Sequence, residues 1–163
     1  MEPLIECFIE RYGYGHSLST DLSDINKLNK VLLTIGGTKH IPEHELQKKE
    51  RSQGQFITFV LQKNMTLVVA RHPETLRIIG MASVYINILT TGTIAHIQNF
   101  AVLPEYWGCG ISDCIDEELR TIARETGVEE IELTSNLLRT RANNFYIRRG
   151  YKLYETNKYK LEL

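Results

Sequence analysis

A strand that stops at a proline, turns through two glycines and runs straight into an amphipathic helix constrains this chain more than any other stretch. It spans residues 94–118, IAHIQNFAVLPEYWGCGISDCIDEE. Ile94, Phe100, Ala101, Val102 and Leu103 form an apolar, β-prone run. Pro104 ends it, because proline has no N–H to give to a sheet ladder. Gly108 and Gly110 allow a tight turn. Ile111, Ile115, Leu119 and Ile122 then follow at steps of four, four and three, the spacing of one helix face. The first N–H groups of such a helix lack partners within it, and its dipole favours negative charge, so the turn is suited to a phosphate or diphosphate.

The kind of phosphate loop narrows by elimination. No lysine follows Gly110, which excludes the Walker A ending. Asp113 stands where a dinucleotide fingerprint needs a small residue. Residues 102–112, with Val102, Pro104 and then Trp107-Gly108-Cys109-Gly110-Ile111-Ser112, resemble the acetyl-CoA loop of the GNAT superfamily of N-acetyltransferases. Gly110 takes the place of that pattern's central glycine. Trp107 replaces its first arginine or glutamine, and Ser112 its last small residue.

A second segment carries the same resemblance. Residues 135–151, SNLLRTRANNFYIRRGY, are similar to the last helix of that superfamily through Arg139, Ala142, Phe145, Tyr146, Gly150 and Tyr151. Asn143 departs from the histidine common at its place. Ala142 and Tyr146 lie one helical turn apart on one face. By itself Tyr146 reads as an amphipathic core residue with a wet tip.

The rest of the chain is ordered to match. With 163 residues, 42% hydrophobic and 24% charged, it suits one globular domain over 1–163. Nineteen Lys and Arg against twenty Asp and Glu argue against a nucleic-acid binder. No apolar run reaches membrane-spanning length. The three cysteines have neither metal nor disulfide spacing, which predicts reduced thiols, a cytoplasmic protein and no metal. The pattern predicts a first strand in 13–20 after a frayed start, and a helix over 22–35. A second helix over about 42–62 is interrupted near Gly54, with 56–61 readable as strand instead. Strands over 66–70, 76–89 and 94–103 form an antiparallel meander. The glycine-turn helix runs to about 126, a strand occupies 128–134, a helix 140–149, and a hairpin over 151–155 and 158–163 closes the chain.

The resemblance implies an α/β (α+β mixed) fold. Its twisted mixed sheet of six to seven strands splays between the fourth and fifth, with helices on both faces. It further implies that the backbone of Phe100, Ala101 and Val102 pairs with the pantetheine arm of acetyl-CoA, as in strand addition at a sheet edge. The loop of Gly108, Cys109, Gly110, Ile111 and Ser112 holds the diphosphate, with Asn143 a further contact. A bulge near Asn99 and Phe100 aims an N–H at the thioester carbonyl. Tyr146 becomes the general acid for the departing thiolate. The base is open: Gln98 stands where many relatives carry glutamate, and a glutamine takes no proton. His96 has the chemistry and, with no bulge, shares a side with Gln98 and Phe100. A half-buried strand histidine or a water chain fits that position as well.

The activity implied is transfer of acetyl from acetyl-CoA to a primary amine of a small molecule. Acetylation of a protein N-terminus or lysine, and a catalytically weak acyl-CoA-binding module, are the alternatives. His40, Glu43, Tyr85 and Asn87 are candidates for the acceptor side, and an open sheet edge near the C-terminal hairpin leaves a homodimer possible.

Overall fold

The computed structural model describes residues 6–12, 21–34 and 41–162. Five strands form one sheet in chain order: β1 (Phe8–Tyr12), β2 (Met65–Arg71), β3 (Ile78–Leu89), β4 (Gly92–Val102) and β5 (Glu130–Leu133). The first four are antiparallel neighbours, and β5 lies parallel to β4. The helices are α1 (Leu22–Thr34), α2 (Glu43–Lys48), α3 (Gln53–Val60), α4 (Ile111–Glu125) and α5 (Thr140–Arg148).

Strand alternation divides the core between the two faces of the sheet. On one face Val68, Ile79, Val84, Ala95 and Ile97 pack with Ile111, Ile115, Leu119 and Ile122, the predicted face of α4. On the other, Leu67, Val69, Ile78 and Met81 pack with Ile25 and Leu28 of α1 and with Phe56 and Val60 of α3. The approach of α4 to the sheet requires a glycine in β3. A Cβ on Gly80 would stand 2.9 Å from Ile115 Cδ1 and 3.2 Å from Val102 Cγ2.

Four expectations need revision or fall outside view. The strand expected in 13–20 lies outside the described residues, and β1 instead occupies the stretch expected to fray. Residues 56–60 are helical, not strand. The second helix is two helices, because Ser52 and Gln55 form a reciprocal capping box that restarts the chain as α3. The C-terminal hairpin is absent: residues 151–162 carry no strand, so the described sheet has five strands rather than six to seven. Leu153, Tyr154, Tyr159 and Leu161 in that segment are each more than 80% exposed. Their apolar area gains nothing against the core, so no burial offsets the entropy of ordering a hairpin.

The expected splay has a concrete form. Pairing of β5 with β4 ends at Ile97 and Leu133, while β4 continues to Val102. Beyond Ile97 the sheet is open on that side.

Candidate functional site

The open edge of β4 begins at a bulge. Met81 faces Ala101 and Ser83 faces Gln98, so Asn99 and Phe100 together oppose one residue of β3. Asn99 adopts φ +55°, a left-handed conformation that asparagine tolerates better than most residues. Its Nδ2 donates to Ser83 Oγ at 3.1 Å, and Ser83 Oγ donates to the Gln98 carbonyl at 3.1 Å. This buried serine therefore holds the bulge predicted near Asn99 and Phe100.

The bulge also changes which side chains share a face. Phe100 and Val102 pack with Ala95 and Ile97 against the α4 side. His96, which alternates with those residues, is on the opposite face from Phe100, in register with Tyr85 on one neighbour and Glu132 on the other. The shared side expected for His96 and Phe100 is lost to the extra residue.

A cavity of about 670 Å³ fills the opening. Phe100, Ala101 and Val102 line it from β4. Gly108, Gly110, Ile111 and Ser112 line it from the turn and α4, and Tyr146 from α5. Cys109, Asn143 and His96 are not among its walls. Cys109 is buried beneath the turn. Asn143 Nδ2 donates to the carbonyls of Asn136 and Leu137 at 3.0 and 3.3 Å, so it shapes the loop before α5. Val31 of α1, Tyr106 and Leu138 are walls that sequence reasoning missed. Val31 belongs to an ordinary helical stripe, which gave no signal that it faces a cavity.

The turn has the geometry that suits an anion. Gly108 and Gly110 have φ +88° and +84°. No side chain caps α4, so its first amides have no partner from within the helix or from a capping group. The two sequence features that oppose a phosphate are both compensated. Asp113 is paired with Arg148 at 3.1 Å and Arg149 at 3.7 Å. Trp107, pinned by its Nε1 donating to the Val102 carbonyl at 2.8 Å, carries the Arg141 guanidinium 4.7 Å from its ring centroid. A cation thus returns to the turn from α5. Arg139 also lines the cavity, and its Nε is buried without a hydrogen-bond partner among the described residues. Such an orphaned donor fits a site whose ligand supplies the acceptor.

Tyr146 stands in an aromatic cluster with ring centroids 6.2 Å from Phe100, 5.4 Å from Phe145 and 5.6 Å from Tyr151. Burial pushes its phenol above the ordinary tyrosine range; the nearby Arg139 charge opposes this and Asp116 adds to it. The hydroxyl therefore keeps its proton at neutral pH. Tyr146 donates to no group among the described residues, whereas Tyr151 Oη donates to Asp116 at 2.8 Å. Among the described residues no group of three His, Cys, Asp or Glu is placed to hold a metal ion. No helix is long and apolar enough to cross a membrane.

On the expected acceptor side, Glu43 is bound to Lys30 at 2.8 Å, and His40 lies outside the described residues.

Known proteins resemble the chain at several levels. An acetyltransferase from Trypanosoma brucei superposes with a TM-score of 0.70 at 22% identity, over 97% of this chain and 100% of that one. A predicted acetyltransferase of Clostridium acetobutylicum, whose structure was determined with acetyl-CoA, superposes with a TM-score of 0.66 at 20% identity, over 97% of this chain and 96% of that one. An aminoalkylphosphonate N-acetyltransferase from Salmonella typhimurium is 34% identical over 77 residues, 46% of this chain and 50% of the relative. The chain thus spans about half the length of the curated relative it matches. The model of the acetyltransferase (GNAT) family matches residues 36–151, which contain both motifs and every wall of the cavity named above except Val31, and the chain belongs to that family.

Proposed function

We propose that this protein transfers an acetyl group from acetyl-CoA to the primary amine of a small molecule by direct attack. One observation carries the reading: the open edge of β4, the uncapped glycine turn and the unpartnered phenol of Tyr146 all face one cavity. The backbone of Phe100–Val102 pairs with the pantetheine arm. The amides of Gly108, Gly110, Ile111 and Ser112 hold the diphosphate, with Arg139 and Arg141 beside them; the Cys109 amide donates to the Tyr106 carbonyl instead. An N–H at the Asn99–Phe100 bulge polarises the thioester carbonyl.

The amine attacks that carbonyl, the C–S bond breaks, and Tyr146 gives its proton to the departing CoA thiolate. The proton lost by the amine passes through water to His96, which is not a wall of the cavity but lies on the α1 face of β4, the side from which the acceptor approaches. The acceptor approaches from the α1 side, where Val31 reaches the cavity. The Salmonella relative makes aminoalkylphosphonates the first acceptors to try.

The test is calorimetry with acetyl-CoA, then thiol release across an amine panel that includes aminoalkylphosphonates. Binding and turnover are expected, with turnover falling about 100-fold in Tyr146→Phe. Binding without thiol release for any amine would make the protein an acyl-CoA-binding module. A His96→Gln variant with an unaltered pH–rate profile removes His96 from the proton path.

A further inference from the structure

Cys7, Cys109 and Cys114 are far apart in the sequence, yet they line one cavity of about 570 Å³ together with Phe8 and Pro73. Gly110 and Asp113 line both this cavity and the one described above, so the glycine turn is their shared wall. All three thiols are free: Cys109 is buried, Cys7 partly buried and Cys114 exposed. Cys7 precedes β1, and Cys114 lies in the first turn of α4, where its N–H donates to the Gly110 carbonyl at 3.1 Å. The Cys7 and Cys114 thiols line this same cavity and interact electrostatically. Burial, reinforced by Cys114, pushes the Cys7 thiol up to about 12. Two free thiols that line one cavity and interact need only a local approach to bond, and one of them is open to solvent.

We propose that Cys7 and Cys114 are a reversible disulfide site, and that the bond controls the grip of the glycine turn on its ligand. The oxidant is a small-molecule disulfide. Cys114, as thiolate, attacks one of its sulfurs; that S–S bond breaks, a mixed disulfide forms on Cys114 and one small thiolate leaves. Cys7 then loses its proton to solvent and attacks the Cys114 sulfur. The protein S–S bond forms, and the second small thiolate departs and is protonated. The two protein thiols lose two electrons and two protons, and the small disulfide becomes two thiols. Closing the space between the two sulfurs to a bond of about 2 Å moves the first turn of α4 relative to the lead-in of β1. The amides that hold a diphosphate belong to that turn, so acetyl-CoA binding weakens. This last effect rests on the acetyl-CoA reading, while the disulfide does not.

The experiment treats the full chain with oxidised glutathione and follows it by intact mass and non-reducing peptide mapping. The expected product is lighter by two hydrogens, joins the Cys7 and Cys114 peptides, and reverts with dithiothreitol. Cys7→Ser should instead stop at a glutathione adduct on Cys114, and Cys114→Ser should form no crosslink. A lasting glutathione adduct on the wild type, or a crosslink through Cys109, overturns the pair. Calorimetry then compares acetyl-CoA binding to the oxidised and reduced protein, with a several-fold weaker Kd expected after oxidation. Equal Kd values overturn the control while leaving the disulfide. If neither form binds acetyl-CoA, the ligand reading fails and the control falls with it, and the mapping still decides the disulfide.

Discussion

Asp24 and Asp116 are both sealed from solvent and both accept hydrogen bonds from arginine, yet the helices they fasten depend on them to different degrees. Asp24 ties α1 to the start of β3, accepting from Arg77 Nε at 2.7 Å and from the Ile78 amide at 3.1 Å. But α1 also buries Ile25 and Leu28 against the sheet. Asp116 of α4 accepts from Arg120 Nε at 2.8 Å, from Arg149 Nε at 2.7 Å and from Tyr151 Oη at 2.8 Å. Arg120 in turn donates to the Arg149 carbonyl at 2.7 Å. The helix fastened there, α5, has no fully buried residue. Where packing already positions a helix, a buried carboxylate adds to it; where packing is thin, the carboxylate does the positioning. The helix of the second kind carries Tyr146.

The sharpest way to break this contrast is to remove each aspartate. Asp116→Ala takes the buried carboxylate from a phenol and from two guanidiniums with only 27% and 25% side-chain exposure, leaving Arg149 its outer partners Asp113 and Glu117. A loss of about 3–5 kcal/mol is expected, the range for breaking a buried ion pair on one side. Turnover should fall in the protein that remains folded, because α5 and Tyr146 shift. Asp24→Ala releases Arg77, whose side chain is 55% exposed and turns to water, leaving mainly the Ile78 amide unsatisfied. About 1–3 kcal/mol is expected there. Urea unfolding and turnover for both variants, with Asp116→Asn as the milder change, check this. Equal stability losses, or full turnover in folded Asp116→Ala, would end the contrast.

Tyr146 and Tyr151 repeat it at the scale of two rings 5.6 Å apart. Burial raises the phenols of both. Only Tyr151 spends its hydroxyl on structure, through Asp116. Tyr146→Phe should therefore lower turnover about 100-fold with little change in Tm. Tyr151→Phe should cost about 1 kcal/mol of stability and leave the chemical step nearly intact. Measuring kcat and Tm for both variants decides it; a swap of the two outcomes would make Tyr151 the proton donor.

The α1 anchor can be isolated by pH. Burial tends to raise the Asp24 carboxyl, but the Arg77 hydrogen bonds, the Ile78 amide and the neighbouring charges outweigh it and hold the group below the ordinary aspartate range. The folded state then binds this proton more weakly than the unfolded state, whose aspartates titrate near about 3.9. The stabilisation is present above that value and is lost as pH falls through the lower folded value. Thermal scans from neutral pH into this acid window should show a steeper fall for wild type than for Asp24→Asn. Parallel curves would mean that the pair contributes nothing to acid stability.

The half of the molecule around α4 and α5 was legible in the sequence, and the half around α1 was less so. Ile111, Ile115, Leu119 and Ile122 announced the buried face of α4 because the helical period is local. The glycine turn and the Tyr146 helix were legible for the same reason: their chemistry is set within a few residues. The bulge at Asn99 was expected, but its consequence for His96 depends on pairing with Ser83, which the sequence does not spell out. Asp116 gave no signal, because its partners Arg149 and Tyr151 lie 33 and 35 residues away. The C-terminal segment had strand-like composition, yet its apolar side chains find no surface to cover. The cysteines had no disulfide spacing, and folding nevertheless brings Cys7 and Cys114 to one cavity.

The smallest effect concerns the cation on the glycine turn. If Arg141, stacked on Trp107, does the work of a basic loop residue, its loss should weaken cofactor binding without touching the chemistry. An exposed cation–π contact is worth about 0.5–1 kcal/mol, and an exposed charge near a phosphate about as much, so Arg141→Ala should raise KM for acetyl-CoA about threefold with kcat unchanged. Added salt should shrink the difference, since screening weakens the wild type more than the variant. Substituting Trp107→Arg in the Arg141→Ala background places a guanidinium on the turn itself and should restore KM. It does so at some cost in stability, because the indole bond to the Val102 carbonyl is lost. A KM that stays high in the double variant would mean that Trp107 serves the site through its ring, with Arg141 as its cover rather than the source of charge.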